Sequence, residues 1–258
     1  DGRWKMLTDT FIKRFKAGET LYGPFAELDN GNVVEIFGLA GFDFVIIDCE
    51  HGPGGPGFAL DMLRAADCRN LPAIVRVPNT LPSTILKFMD IGSGGVMVPL
   101  VHTPALARQV AEAARYCPSG KRGFATMRAA DWGFLDVPSH IARTNSKAFV
   151  MVQAESVESI ENIDAIAGTD GVDAVFIGTF DLSQSMGIPG QVNDPKMAAA
   201  IEKAVKAIKK AGKVPGIYAG TVENAKRYVG LGFQFIAYSS DVGMMVNAAR
   251  ETAKALKG

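Results

Sequence analysis

Two acidic residues, Glu155 and Asp181, each follow closely on an apolar run rich in β-branched residues, Ala148–Ala154 and Ala174–Gly178. Carboxylates at the ends of neighbouring strands come within reach of one ion. As hard oxygen donors they suit Mg2+ or Mn2+, which leave coordination positions open to substrate oxygens. Each could equally cap the helix that follows it or pair with Lys or Arg. His51 comes directly after Asp48-Cys49-Glu50, among Gly52, Pro53, Gly54 and Gly55. An imidazole with an ordinary pKa of about 6.5 exchanges protons near neutral pH, although a loop histidine is also a common surface residue. Arg76 interrupts the run Ala73–Val77. A guanidinium in a buried strand is costly without an anion, and the partner is either a carboxylate such as Glu50 or Asp90 or the oxyanion of a bound substrate. His102 and His140 have weaker cases. Asp90-Ile91-Gly92-Ser93-Gly94-Gly95 superficially resembles a phosphate loop, but it precedes a strand, so a helix-ending turn is favoured.

The elements that position these residues alternate along the chain. Strand-length apolar runs cover Thr20–Glu27, Phe44–Cys49, Ala73–Val77, Gly95–Val101, Ala148–Ala154, Ala174–Gly178, Val214–Ala219 and Phe233–Ser239. Helical periodicity marks Thr8–Lys16, Asn32–Gly38, Gly57–Ala66, Pro82–Ile91, Pro104–Tyr116, Val157–Ala167, Pro195–Ala211, Thr221–Leu231 and Val242–Leu256, with Gly38, Gly92, Gly168, Gly212 and Gly232 as candidate helix ends. Eight strands with helical crossovers predict an α/β fold, a (β/α)8 TIM barrel, in one domain over residues 1–258. A doubly wound sheet would want a glycine-rich turn after the first strand, and Phe25-Ala26-Glu27-Leu28-Asp29 is not one. In a barrel, chemistry sits at the carboxyl ends of the strands, where Asp48 to His51, Arg76, Gln153 to Glu155 and Gly178 to Asp181 all fall. The long stretch Cys117–Ser146 is predicted to be a surface excursion, a lid over the mouth or a subunit contact.

Lys+Arg and Asp+Glu both total 27. Such a balance gives no electrostatic case for nucleic acid or an anionic membrane, and a small-molecule ligand fits better. No stretch approaches the roughly 20 apolar residues of a membrane span, and Asp1–Gly18 has no signal-peptide core. Cys49, Cys68 and Cys117 lack the spacing of a zinc site or a disulfide framework, so a reducing cytoplasm is expected.

Taken together, Phe42-Asp43-Phe44-Val45-Ile46-Ile47-Asp48-Cys49-Glu50-His51, Val75-Arg76, Val98-Pro99, Pro118-Ser119-Gly120-Lys121-Arg122-Gly123, Val152-Gln153-Ala154-Glu155, Gly171–Gly178, Asp181-Leu182-Ser183 and Met186-Gly187 resemble one family over nearly the whole chain. That family is the metal-dependent (class II) 4-hydroxy-2-oxoheptanedioate aldolases, which include 2-dehydro-3-deoxyglucarate aldolases. The resemblance implies a barrel of the phosphoenolpyruvate/pyruvate-domain type. It also implies cleavage of a 4-hydroxy-2-oxo acid to pyruvate and an aldehyde, in the catabolism of aromatic compounds.

By the same resemblance Glu155 and Asp181 match the ligands of a divalent cation, Mg2+, Mn2+ or Co2+. Arg76 matches the arginine that neutralises the developing enolate oxygen, and His51 the proton carrier, held by Asp90, with Asp48 behind. Gln153 matches a polar contact to pyruvate, and Gly178, Thr179 and Phe180 the turn that receives its carboxylate. A homo-oligomer is implied, a hexamer or trimer of dimers, with the last helix packed on a neighbouring subunit. Cys49 stands where the family usually has glycine, and Thr179-Phe180 where a proline and a small residue are common. Phe180 would therefore narrow the pocket or wall it with an aromatic ring. Ile217-Tyr218-Ala219-Gly220 also departs from the family pattern. No strand interior carries a lysine, which argues against a Schiff-base mechanism; Lys147 lies at the wrong end of its strand. Rival readings are related enolate chemistry (oxaloacetate decarboxylation, acyl-CoA lysis, or a synthase adding the enolate to another acceptor) and a silent barrel that binds an oxo acid.

Overall fold

The computed structural model describes residues 9–258. Eight parallel strands close into a barrel in chain order: β1 (Leu21–Ala26), β2 (Val45–Asp48), β3 (Ala73–Arg76), β4 (Gly95–Val98), β5 (Phe149–Ala154), β6 (Ala174–Ile177), β7 (Val214–Ala219) and β8 (Phe235–Ser240), with β8 pairing back onto β1. The helices are α1 (Asp9–Lys16), α2 (Gly31–Ala40), α3 (Pro56–Arg69), α4 (Pro82–Asp90), α5 (Pro104–Ala113) and α6 (Val137–Lys147). They continue as α7 (Val157–Glu161), α8 (Ile163–Ala167), α9 (Thr179–Ser185), α10 (Pro195–Lys210), α11 (Val222–Leu231) and α12 (Asp241–Lys257). The expected eight strands and the (β/α)8 architecture are present. Thr8, the expected start of the first helix, lies outside the described residues.

Two apolar layers hold the barrel. Along each strand alternate side chains point inward and outward, so Val45, Ile47 and Val75 face the helices. Phe44, Ile46, Ile74, Met151 and Phe176 fill the interior. Phe11 and Phe15 of α1 pack against Phe149 and so plug the amino-terminal end, with Phe15 and Phe149 stacked at 6.3 Å. Each fully buried aliphatic or aromatic side chain contributes about 1.5–3 kcal/mol. The same inward alternation continues past the apolar layer to Asp48, Arg76 and Gln153, and register sets Asp48 opposite Arg76.

Periodicity misplaced some boundaries. Gly38 lies inside α2, whose end is Gly41 in the left-handed conformation (φ 87°). Two helices escaped sequence reading: α9 has only 7 residues, and α6 is rich in polar residues. The long connection between α5 and β5 is not a lid over the mouth. It joins the end of a helix to the start of a strand, which places it at the amino-terminal end of the barrel. There Arg128 pairs with Asp67 and donates to the Ile91 carbonyl.

Candidate active site

At the carboxyl ends of the strands is a cavity of about 320 Å3, lined among others by Arg76, Gln153, Gly178, Thr179 and Asp181. Arg76 is fixed at its floor. Its Nε and Nη2 donate to the two oxygens of Asp48 at 2.8 and 2.5 Å, Nη1 lies 3.2 Å from Glu50 Oε2, and the guanidinium sits 4.6 Å from the Phe25 ring centre. Of the alternatives open from sequence Glu50 is a partner and Asp90 is not, and the main partner, Asp48, was not among them. Asp48 is fully buried and also accepts the amides of Glu50 and His51. It thus shapes the β2–α3 turn as well as orienting the arginine.

Glu155 is packed behind the cavity wall. Its Oε1 accepts the Leu100 amide at 2.6 Å and its Oε2 the Gln153 side-chain amide at 2.5 Å. Leu100 holds a left-handed φ of 58° to make that contact, a conformation that costs a non-glycine residue roughly 1–3 kcal/mol and is common at functional sites. The carboxylate lies against Gly178, where a Cβ would stand 2.6 Å from Glu155 Oε2. Burial first, then the charge of Asp181, raises the Glu155 pKa, with the Leu100 and Gln153 hydrogen bonds opposing. Glu50 is pushed up to about 7 by burial, against Arg76, with Glu155, Asp48 and Asp181 adding to the rise.

These donors fit a hard divalent cation. Glu155, Asp181 and Glu50 repel one another, and each Glu155 oxygen spends one lone pair on a hydrogen bond and keeps another. Gln153 Oε1 is buried without a hydrogen-bond partner among the described residues, as expected of an atom that faces a ligand, while Glu50 Oε2 has the ion-pair contact with Arg76. No group of three His, Cys, Asp or Glu side chains gathers around one point among the described residues. A two-carboxylate site would leave the other positions to water and substrate.

The remaining expected residues divide. His51 is exposed and lines the cavity. Asp90 does not hold it. It ends α4 at the opposite end of the barrel, because a helix following β3 runs back towards the start of β4, and its carboxylate is bound 2.5 Å from Arg122. Within one chain Asp90 is thus a buried ion-pair partner of Arg122 and does not reach His51. Thr179 is buried, and Phe180, 57% exposed, leans edge-on against Tyr218 at 5.9 Å, so the aromatic wall is the outcome. His102 Nδ1 meets Ser156 Oγ, and His140 meets the Tyr116 hydroxyl at the amino-terminal end. Burial pushes the Cys49 thiol up to about 12, which makes it a core residue rather than a nucleophile.

Glu27, Tyr218 and Ser240 also line the cavity and had no role from sequence, Tyr218 appearing there only within the departing run Ile217-Tyr218-Ala219-Gly220. Glu27 was legible by the strand-end rule, since it follows β1 directly. Tyr218 and Ser240 lie on β7 and β8, where no ionisable pair drew notice.

A closed parallel barrel with an arginine, a glutamine and acidic groups converging on its mouth defines an enzyme of the (β/α)8 class, built to stabilise negative charge on a small oxygenated ligand. The chain belongs to the HpcH/HpaI aldolase/citrate lyase family, whose model matches residues 21–248. It is 38% identical over 249 residues to the hydroxypyruvate/pyruvate aldolase of Chromohalobacter salexigens, covering 95% of this chain and 97% of that one. It is 35% identical to the 4-hydroxy-2-oxo-heptane-1,7-dioate aldolase of Shigella sonnei, covering 96% of this chain and 94% of that one. The crystal structure of a family member from Burkholderia cenocepacia superposes with a TM-score of 0.92 at 31% identity, over 97% of this chain and all of that one (100%).

Proposed function

We propose that the chain is a class II pyruvate aldolase, cleaving a 4-hydroxy-2-oxo acid reversibly to pyruvate and an aldehyde with the help of a divalent cation. The observation that carries this reading is the convergence of Arg76, Gln153 and Asp181 on one cavity with Glu155 packed behind it. The chain's near full-length likeness to named aldolases supports it.

Glu155 and Asp181 would hold the cation, Mg2+, Mn2+ or Co2+. When bound, it supplies Lewis-acid polarisation of the oxo acid. Arg76, immobilised by Asp48, presents a preorganised positive charge to the oxygen on which negative charge develops as the C3–C4 bond breaks, so little reorganisation is needed during the reaction. Gln153 and the main chain of Gly178, Thr179 and Phe180 orient the oxo acid and its carboxylate. The 4-hydroxyl loses its proton, the C3–C4 electron pair passes to the pyruvate fragment, and C3 then takes up a proton. His51, exposed at the cavity rim, moves the proton to and from the aldehyde oxygen.

We also infer a homo-oligomer, hexameric by the family resemblance, in the cytoplasm. In α12 only Asp241 is buried while Met245, Val246 and Leu256 stay exposed, which suits packing on a second copy. The three cysteines are free, which suits a reducing compartment, and no helix among the described residues is long and apolar enough to cross a membrane.

The test is deuterium exchange at the methyl group of pyruvate, with Mg2+, Mn2+ or Co2+ added, together with pyruvate release from 4-hydroxy-2-oxo acids. Both are expected; absence of both with every metal refutes the aldolase reading.

A further inference from the structure

The cavity has two unlike halves. On one side stand Arg76, Gln153 and Asp181, which the aldolase reading assigns to the oxo acid. On the other stand Phe180, Tyr218, Ser240 and Glu27, drawn from the ends of β6, β7, β8 and β1. The Glu27 amide donates to Asp241 at 3.0 Å, which anchors its backbone, and its carboxyl shares the cavity with Ser240 and Tyr218.

We propose that this second half selects the aldehyde partner: an uncharged, short, hydroxylated aldehyde is accepted and one carrying its own carboxylate is disfavoured, with Glu27 as the specificity-determining residue. The proposal rests on the aldolase reading and deepens it. The charged or titratable groups lining the cavity are Glu27, His51, Arg76 and Asp181, besides the Tyr218 phenol. Arg76 is held by Asp48 on two hydrogen bonds and by Glu50, and the aldolase reading commits it to the oxo acid, so it is not a spare cation for a second carboxylate. Asp181 is offset by the cation it would share with Glu155, which leaves the Glu27 carboxyl as the acidic group of the cavity that forms no ion pair among the described residues. A carboxylate-bearing aldehyde placed beside it would be desolvated against a like charge.

A hydroxyl group suits the same surroundings. It can donate to Glu27 and exchange hydrogen bonds with the Tyr218 phenol, while the carbon chain lies on the Phe180 ring. Burial raises the Glu27 pKa, and the protonated carboxyl would still pair with a hydroxyl. The volume of about 320 Å3 is at the small end of ligand pockets, which limits the aldehyde to a few carbons once the oxo acid is in place.

The experiment compares kcat/KM for three aldehydes with pyruvate and Mn2+: glyceraldehyde, propionaldehyde and succinic semialdehyde. Wild type is expected to use glyceraldehyde at least about tenfold better than succinic semialdehyde, with propionaldehyde between them. In Glu27→Gln the ratio of glyceraldehyde to succinic semialdehyde should fall at least about fivefold, because the like charge is gone while the shape is kept. A loss of rate with all three aldehydes in equal proportion would make Glu27 merely structural and overturn the proposal. So would equal or better use of succinic semialdehyde by wild type, a result that needs no variant. Deuterium exchange into pyruvate without any aldehyde separates the two levels. Exchange together with the wrong acceptor order refutes this inference alone, whereas no exchange and no pyruvate from any oxo acid refutes the aldolase reading beneath it.

Discussion

Replacing Gly178 by Ala adds one methyl group at the point where β6 passes Glu155. The backbone there has φ −79° and ψ 91°, open to any residue, so the perturbation is the methyl alone. Its carbon would stand 2.6 Å from Glu155 Oε2 and 2.8 Å from Glu155 Cβ. Carbon contacts settle near 3.5 Å, so the Glu155 side chain must retreat by roughly 0.7 to 0.9 Å. Overpacking of this kind costs about 1–3 kcal/mol. The unfolding temperature should therefore fall by about 2–12 °C for a chain of this size. Metal–ligand distances tolerate only about 0.2 Å, so the displaced carboxylate should raise the Kd for Mn2+ at least about tenfold, roughly 1.4 kcal/mol. Isothermal titration with Mn2+ reads the affinity and calorimetric unfolding reads the stability. Gly220→Ala is the control, because its added methyl meets the Tyr218 ring at an ordinary 3.6 Å. If Gly178→Ala binds Mn2+ and turns over within twofold of wild type, the close seat of Glu155 on Gly178 does not position the metal.

Three further outcomes follow from the same geometry. Asp48→Ala leaves the buried Arg76 with Glu50 alone and should cost about 3–5 kcal/mol in urea unfolding; a loss under 1 kcal/mol would show that the pair carries little. Glu50, raised from 4.5 to about 7, binds a proton more tightly folded than unfolded. Its contribution is full below pH 4.5 and is lost as pH rises through 7, on the order of 3 kcal/mol in all. Glu50→Gln should remove that slope from metal-free protein, and stability curves that stay parallel between pH 4.5 and 7.5 would contradict the assignment. Met245→Glu charges the exposed apolar stripe of α12, where Met245 is 60% exposed; light scattering should report a smaller assembly, and an unchanged mass would clear α12 of the contact.

Local chemistry alone carried much of this reading. Strand-length apolar runs separated by amphipathic periods specify the barrel, since period two and period 3.6 are written into neighbouring residues. The same rule puts Arg76, Gln153, Glu155 and Asp181 at the carboxyl ends, because a strand's end is marked by where its apolar run stops. Glu27 obeys it too and was passed over only because β1 showed no accompanying motif.

Which groups touch is another matter, because contact depends on distances across the barrel that no local period encodes. Arg76 had Glu50, Asp90 or a substrate oxyanion in view, and the β2–β3 register set it against Asp48 instead. Asp90 looked available to His51 until the direction of α4 carried it to the far end and onto Arg122. Gly178 was expected only in the turn that receives the oxo acid's carboxylate; closure of the barrel brought the Glu155 carboxylate against its bare α-carbon. The sequence by itself determined which residues reach the mouth. Only the folded barrel decided their partners, since strand register and helix direction bring together atoms far apart along the chain.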